Sequence, residues 1–358
     1  MAAPSPQPSG EVVLSTRTRA WLSRAILLAV IVIVTPIAFR LIGQIDWDAV
    51  GDALGRLSWW HIPVLAGLMV VRQSVTSMPL SLYIAGLNPY RAVLNDQVGT
   101  MIGMLIPTPS DLVIRSAMYS SWGIAIAKGV AGTFLHKLTF YVVRYGIPIA
   151  GAAILLVRGD GLGLRLFDLA SIALSIGILV VLLLVMHSTA LAERVGRSAG
   201  RLVARVRRDV DPEAWAVSWS EFHDNVAARF HRGFGWAVLC FAIMLSLDST
   251  MVVLAMRFVG VGSAVPVSVI VAAFLIAFPL TLFPFNGIGL IEAAVVASVV
   301  AVGGHGVEAP AVAAMLVWRV FAVGGPITMG VASLLVWHHV WGANVGLWQS
   351  IRRRPDAE

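Results

Sequence analysis

FGWAVLCFAIMLSLDSTMVVLAMRF, residues 234–258, is the stretch whose reading decides the fold. It is an apolar block with one acid, Asp248, near its centre and one base, Arg257, near its end. About 20 apolar residues in a helix cross the ~30 Å hydrocarbon core of a bilayer. The block is that long, so it reads as a membrane span. A charge at the middle of a span is costly and marks function by default.

Working outward, blocks of similar length lie at 21–43, 61–84, 129–157, 166–187 and 309–340. The 358 residues are 58% hydrophobic and only 13% charged, with a net charge of +7. A soluble domain carries roughly 25% charged residues, so a soluble reading is set aside. The basic balance does not point to nucleic acid, because the arginines cluster at block ends, where orientation and anionic lipid explain them. The single cysteine, Cys240, allows no disulfide framework within the chain. Residues 1–16 are Pro/Ser-rich and expected to be disordered, and 21–43 is expected to be a retained first span rather than a signal peptide.

Four shorter apolar stretches form two pairs, 92–106 with 110–127 and 266–283 with 286–302. Pro107, Thr108, Pro109 and Ser110 break the first; Pro284, Asn286, Gly287 and Gly289 break the second. Proline cannot continue a helix interior without losing a hydrogen bond. Irregular backbone at membrane depth is tolerated only against protein or a water-filled cavity. Each pair is therefore a re-entrant hairpin or two short spans, and leaves and returns on one side.

Six spans plus two such pairs put three arginine-rich regions on one side: Arg17–Arg24, the connection 188–233 and the tail with Arg352–Arg354. The positive-inside rule makes that side cytoplasmic, with both termini there. Arg194, Arg197, Arg201, Arg205 and Arg208 share one helical face, read either as an ordinary positive loop or as a surface helix on anionic headgroups. Trp59, Trp60, Trp337 and Trp341 sit at span ends as an aromatic belt would, and Arg257 is placed to snorkel. His338 and His339 are adjacent, so they point to different helix faces, which argues against a metal site.

The two halves follow one order of elements, entered from opposite sides, which is the signature of an inverted-topology repeat. LIPTPSDLVIRSA (105–117) aligns on LFPFNGIGLIEAA (282–294), with Pro107 on Pro284 and Arg115 on Glu292; the same offset brings Arg72 within one residue of Asp248. The expected fold is all-α: a polytopic helix bundle of six full spans and two broken pairs, with the repeats at about 21–157 and 166–340. Substrate sites in such proteins lie near the midplane where broken helices meet.

The candidate site residues are the ionisable and polar groups placed there. Five deep bases (Arg72, Arg115, Lys137, Arg144 and Arg319) face three acids (Asp111, Asp248 and Glu292), with Asn286 at the second break. Lys137, Tyr141 and Arg144 share one face. Asp111 and Arg115, at i and i+4, are an expected pair. The positive excess calls for a counter-charge, which an anionic headgroup would supply; the plainer reading is that these groups pair across helices and hold the bundle together. Pro107, Pro109, Pro284, Gly287 and Gly289 are the expected break residues. Asp248 and Glu292 are the candidates for proton coupling. There is no GxxxxGK[ST], HExxH or GxSxG motif, so neither an enzyme nor a cofactor or metal is expected.

The broken pairs carry a resemblance. Pro284, Asn286, Gly287, Ile288, Gly289, Leu290 and Glu292 resemble the proline, glycine-rich turn and glutamate of the flippase-like transmembrane region of lysylphosphatidylglycerol synthases. In the first half, Ser110 and Asp111 stand where that family has Gly-Glu, and Arg115 follows the acid by four residues instead of three. The resemblance implies a stand-alone member, ending at Glu358 without the aminoacyl-transferase domain, that handles lipid rather than making it. The leading expectation is a plasma-membrane translocase moving an anionic or aminoacylated polar lipid, or a lipid-linked precursor, between leaflets. The alternatives are a scaffold for envelope lipid or glycan enzymes and an intramembrane enzyme on a lipid-linked substrate. The expected partners are membrane lipids and proteins of envelope biogenesis.

Overall fold

The computed structural model describes residues 46–106, 110–157, 212–263 and 265–341, with a few helical positions between 169 and 180. The readings made for 1–16, 21–43, 194–208 and the tail, for most of 166–187, and for the break residues Pro107, Thr108 and Pro109, lie outside the described residues. Within them every regular element is helical: α1 Trp47–Gly55, α2 His61–Tyr83, α3 Pro89–Leu105, α4 Ser110–Ser121, α5 Ile126–Val157, α6 Pro212–Phe258, α7 Val267–Ala277, α8 Leu290–Gly303 and α9 Glu308–Trp341.

Three helical stretches are long and apolar enough to cross a membrane: Ile126–Val157, Gly233–Phe258 and His305–Trp341. They agree with the blocks read at 129–157, 234–258 and 309–340. Helix α2 has 23 residues, but Arg72, Gln73, Ser74, Thr76 and Ser77 make its middle polar, so it stands outside those three.

Charged and polar side chains are buried within the apolar core while large apolar ones stand outside. The buried set includes Asn95, Asp96, Gln97, Arg115, His136, Arg144 and Asp248, while Val320, Leu335 and Trp236 are each about two-thirds exposed. Water would drive the reverse arrangement; hydrocarbon favours this one.

Helix α2 runs antiparallel to α6. His61 stacks on Phe258 at one end, with ring centroids 3.7 Å apart. At the other end, a Cβ on Gly233 would stand 3.2 Å from the Tyr83 ring. The first broken pair opens at the Tyr83 end. There Asn88 accepts a hydrogen bond from the Arg91 backbone at 2.8 Å and Pro89 occupies the first turn, which starts α3. The end of α4 lies beside that start: Trp337 Nε1 donates to Ser121 at 3.0 Å, and the Arg91 guanidinium lies 5.6 Å from both Trp122 and Trp341. Trp337 is therefore buried and bonded inside the bundle, not part of an exposed belt, whereas Trp59 is 82% exposed.

The second pair opens at the opposite end. Arg257 binds the carbonyls of Val261 and Val265, just before α7, and a Cβ on Gly303 at the end of α8 would meet Val265 at 2.6 Å. The returning arms α4 and α8 have 12 and 14 residues. These rise about 18 and 21 Å, short of the ~30 Å core.

The two breaks differ in form. Helix α3 stops where Ile106 turns extended. Helix α7 instead tightens into a 3-10 turn, Phe278–Leu282, followed by a second, Pro284–Gly287. Asn286 and Gly287 then take positive φ (58° and 65°), and Gly289 at 85° starts α8. A Cβ on Gly287 would stand 2.3 Å from the Leu280 carbonyl oxygen, so this turn admits only glycine.

Close helix crossings use small residues, as packing without a hydrophobic drive requires. A Cβ on Gly330 of α9 would meet Met101 of α3 at 2.4 Å, and one on Gly151 of α5 would meet Ile276 of α7 at 2.9 Å. Helix α3 thus packs on α9, and α7 packs on α5.

Candidate functional site

Each deep base of the sequence reading but one finds an acid. Arg72 of α2 donates through Nε and Nη2 to Asp248 Oδ2 of α6, at 3.0 and 2.8 Å, and through Nη1 to Gln73. Lys137 of α5 reaches Asp111 at the start of α4 at 2.6 Å. Arg319 of α9 donates to Glu292 of α8, and through Nη1 to the Asn286 carbonyl at 3.3 Å. Glu292 Oε2 also accepts the Gly289 N–H at 2.8 Å, the carboxylate half of a capping box. One glutamate therefore ties the second break to a long helix.

The expected Asp111–Arg115 pair does not form. Arg115 turns inward through the space left by Gly99, where a Cβ would stand 2.0 Å from its Nε. It meets Asp96 of α3 instead: Nη2 donates to Asp96 Oδ1 at 3.0 Å, and Nη1 donates to Asn95 Oδ1 at 3.1 Å. Asp111, freed from that role, takes Lys137. The physical reason is the hairpin: α3 lies against α4 over its length, so a partner across the hairpin competes with one on the same helix.

Asp96 is the buried carboxylate that the sequence reading missed. The run Asn95-Asp96-Gln97 sits inside a stretch read as apolar, and that polar triplet was the available signal. In the structure all three side chains are buried. Ser77 donates to Asp96 Oδ2 at 3.0 Å, and Gln97 Nε2 donates to Ser77 Oγ and the Gln73 carbonyl at 3.0 and 3.2 Å. His136 Nε2 lies 3.7 Å from Asp96 Oδ1, too long for a hydrogen bond, and its Nδ1 has no hydrogen-bond partner. Helices α2, α3 and α4 are thus joined at one buried carboxylate, with His136 of α5 beside it.

Adding Asp96 changes the balance. Four acids (Asp96, Asp111, Asp248 and Glu292) hold four of the five bases, and Arg144 is left over. It is 6% exposed, and its Nε and Nη2 have no hydrogen-bond partner. Its guanidinium lies 5.7 Å from the centre of the Phe140 ring and 5.9 Å from that of Tyr141. Lys137, Tyr141 and Arg144 all lie on α5, but the two bases have different surroundings.

The structure therefore groups the sequence's candidates into separate pairs rather than one cluster: three pairs involve a hairpin arm, and Arg72–Asp248 joins the long helices α2 and α6. Asn286 is exposed at the second break and contributes its carbonyl, with φ at 58°. Among the described residues, no group of three or more His, Cys, Asp or Glu is placed to hold a metal ion. No protein-family model, curated protein or solved structure matches the chain.

Proposed function

We propose that the chain is a lipid translocase of the plasma membrane, built as an inverted repeat, that passes the polar headgroup of an anionic or aminoacylated lipid, or of a lipid-linked precursor, between two oppositely opening hairpins. The observation that carries this reading is the pairing of helices. Under an offset of 177 residues, taken from the alignment of 105–117 on 282–294, α3 corresponds to α7 and α5 to α9. The contact of α3 with α9 then has its counterpart in the contact of α7 with α5, and α2 packs against its own counterpart α6. Pro89 falls on Pro266, and Pro148 falls one residue from Pro326.

An in-plane two-fold axis lets equivalent residues of two antiparallel helices meet only where the axis passes. Arg72 and Asp248 are equivalent to within one residue and are bonded to each other, which supports an axis passing there. Inverted repeats of this kind rock between forms open to either side. The hairpins opening at opposite ends, and buried ion pairs inside a bundle that exposes large apolar side chains, support the same reading. So does the resemblance of the second break to the flippase-like region of lysylphosphatidylglycerol synthases. The arginine-rich ends support cytoplasmic termini.

The test is a leaflet-resolved lipid assay in proteoliposomes with Glu292→Ala and Arg115→Ala. Each removes the charge that fixes one hairpin, and each is expected to slow exchange at least about tenfold, the effect of ~1.4 kcal/mol on a barrier. Unchanged rates in both variants would remove the hairpins from the mechanism.

A further inference from the structure

We infer that Arg144 is the seat of a phosphate group, one that belongs to the headgroup of a membrane phospholipid. The inference rests on the lipid-handling reading for the source of the phosphate, but its chemistry stands on Arg144 itself. Among the described residues, every other deep base of the set is neutralised by a carboxylate of the protein: Arg72 by Asp248, Arg115 by Asp96, Lys137 by Asp111 and Arg319 by Glu292. Those charges are committed to joining helices, and a ligand anion would have to displace a carboxylate to reach them.

Arg144 carries no such commitment. It lies near the middle of the 32-residue helix α5, about 4 Å past its midpoint at 1.5 Å per residue. A buried charge without a counter-ion is costly at that depth. The rings of Phe140 and Tyr141 lie within cation–π distance of the guanidinium. Aromatic rings attract the cation but accept none of its N–H bonds in the way that an oxygen does. Two of those donors, Nε and Nη2, are buried and unused. Donors held beside rings and left free suit the two oxygens of a phosphodiester, which Arg binds bidentately.

Its surroundings place this seat beside a break. Phe140, one turn before Arg144, packs edge-on to Phe278, where α7 tightens into its 3-10 turn. Gly151, two turns after, lies against Ala272 and Ile276.

The experiment titrates the full chain, purified in a maltoside detergent, by calorimetry with three probes: dihexanoyl phosphatidylglycerol, inorganic phosphate, and phosphate-free dioctanoylglycerol. Wild type is expected to bind the phospholipid and not the diacylglycerol. Arg144→Met is expected to weaken phospholipid binding about tenfold or more, and Arg144→Lys by less, because Lys keeps the charge without the fork. Inorganic phosphate binding as tightly as the phospholipid would keep the phosphate site but overturn the headgroup as its source. Equal phospholipid affinity in wild type and Arg144→Met would overturn the site. Thermal unfolding of the same samples guards against a trivial loss: Arg144→Met removes an uncompensated buried charge while keeping an apolar contact with the Phe140 and Tyr141 rings, and is expected to unfold no earlier than wild type. A markedly earlier midpoint would make Arg144 a structural group and also overturn the proposal. A protein that binds the phospholipid through Arg144 yet exchanges no lipid between leaflets would retain this site while the translocase reading fails.

Discussion

Asp96→Asn isolates the charge at the centre of the first hairpin. The Asp96 carboxylate is 4% exposed and faces Arg115, itself 2% exposed, at 3.0 Å. Asparagine keeps the volume and one acceptor but leaves the guanidinium without its counter-charge. Breaking a buried ion pair by removing one partner costs about 3–5 kcal/mol, chiefly because the survivor stays buried. A neutral hydrogen bond between membrane helices averages only ~0.6 kcal/mol. The size of the loss therefore separates the two accounts, and about 3 kcal/mol is expected. The double variant Asp96→Asn/Arg115→Met removes both charges and is expected to recover more than half of it. Unfolding of the purified protein by titration into a denaturing detergent, followed by circular dichroism, gives both values. A loss below about 1 kcal/mol for Asp96→Asn, or a double variant no more stable than the single, would refute the view that this pair organises the hairpin.

Two further outcomes follow from the same geometry. Asp111→Asn is expected to cost less than about 1 kcal/mol in that unfolding assay, because the side chain of its partner Lys137 is 40% exposed and is not left as a buried charge when the carboxylate is neutralised. Gly330→Ala is expected to lose about 1–3 kcal/mol from overpacking, since its Cβ would meet Met101 Cβ at 2.4 Å and the Gln97 carbonyl at 2.9 Å, whereas Gly67→Ala has nothing within 4 Å and serves as the matched helix control.

How much of this was legible in the sequence depended on what each signal measures. Block length and composition test burial in hydrocarbon directly, and three spans were read to within about three or four residues of their observed bounds. Proline alone was a poorer guide. Pro79, Pro148 and Pro326 all lie inside continuous helices, Pro326 even directly after Gly324 and Gly325. The second break was readable because Pro284 is joined by Asn286, Gly287 and Gly289, residues that tolerate positive φ. Ion-pair partners were not readable, because i, i+4 spacing reports only neighbours on one helix. The partner of Arg115 lies 19 positions back, across the hairpin, in a residue hidden by its apolar surroundings. The uncommitted state of Arg144 could emerge only after every other base had been given its partner.

Lipid translocation is tested most directly by comparing vesicles with and without the wild-type protein. Vesicles carrying a fluorescent phosphatidylglycerol in both leaflets are treated with a membrane-impermeant reductant that quenches the outer leaflet. Translocation predicts that protein-containing vesicles lose fluorescence beyond the outer-leaflet share, at a rate that falls in the Glu292→Ala variant, while protein-free vesicles stop at that share. Identical traces for the two kinds of vesicle, repeated with an aminoacylated phosphatidylglycerol and a lipid-linked polyprenyl phosphate precursor, would contradict it.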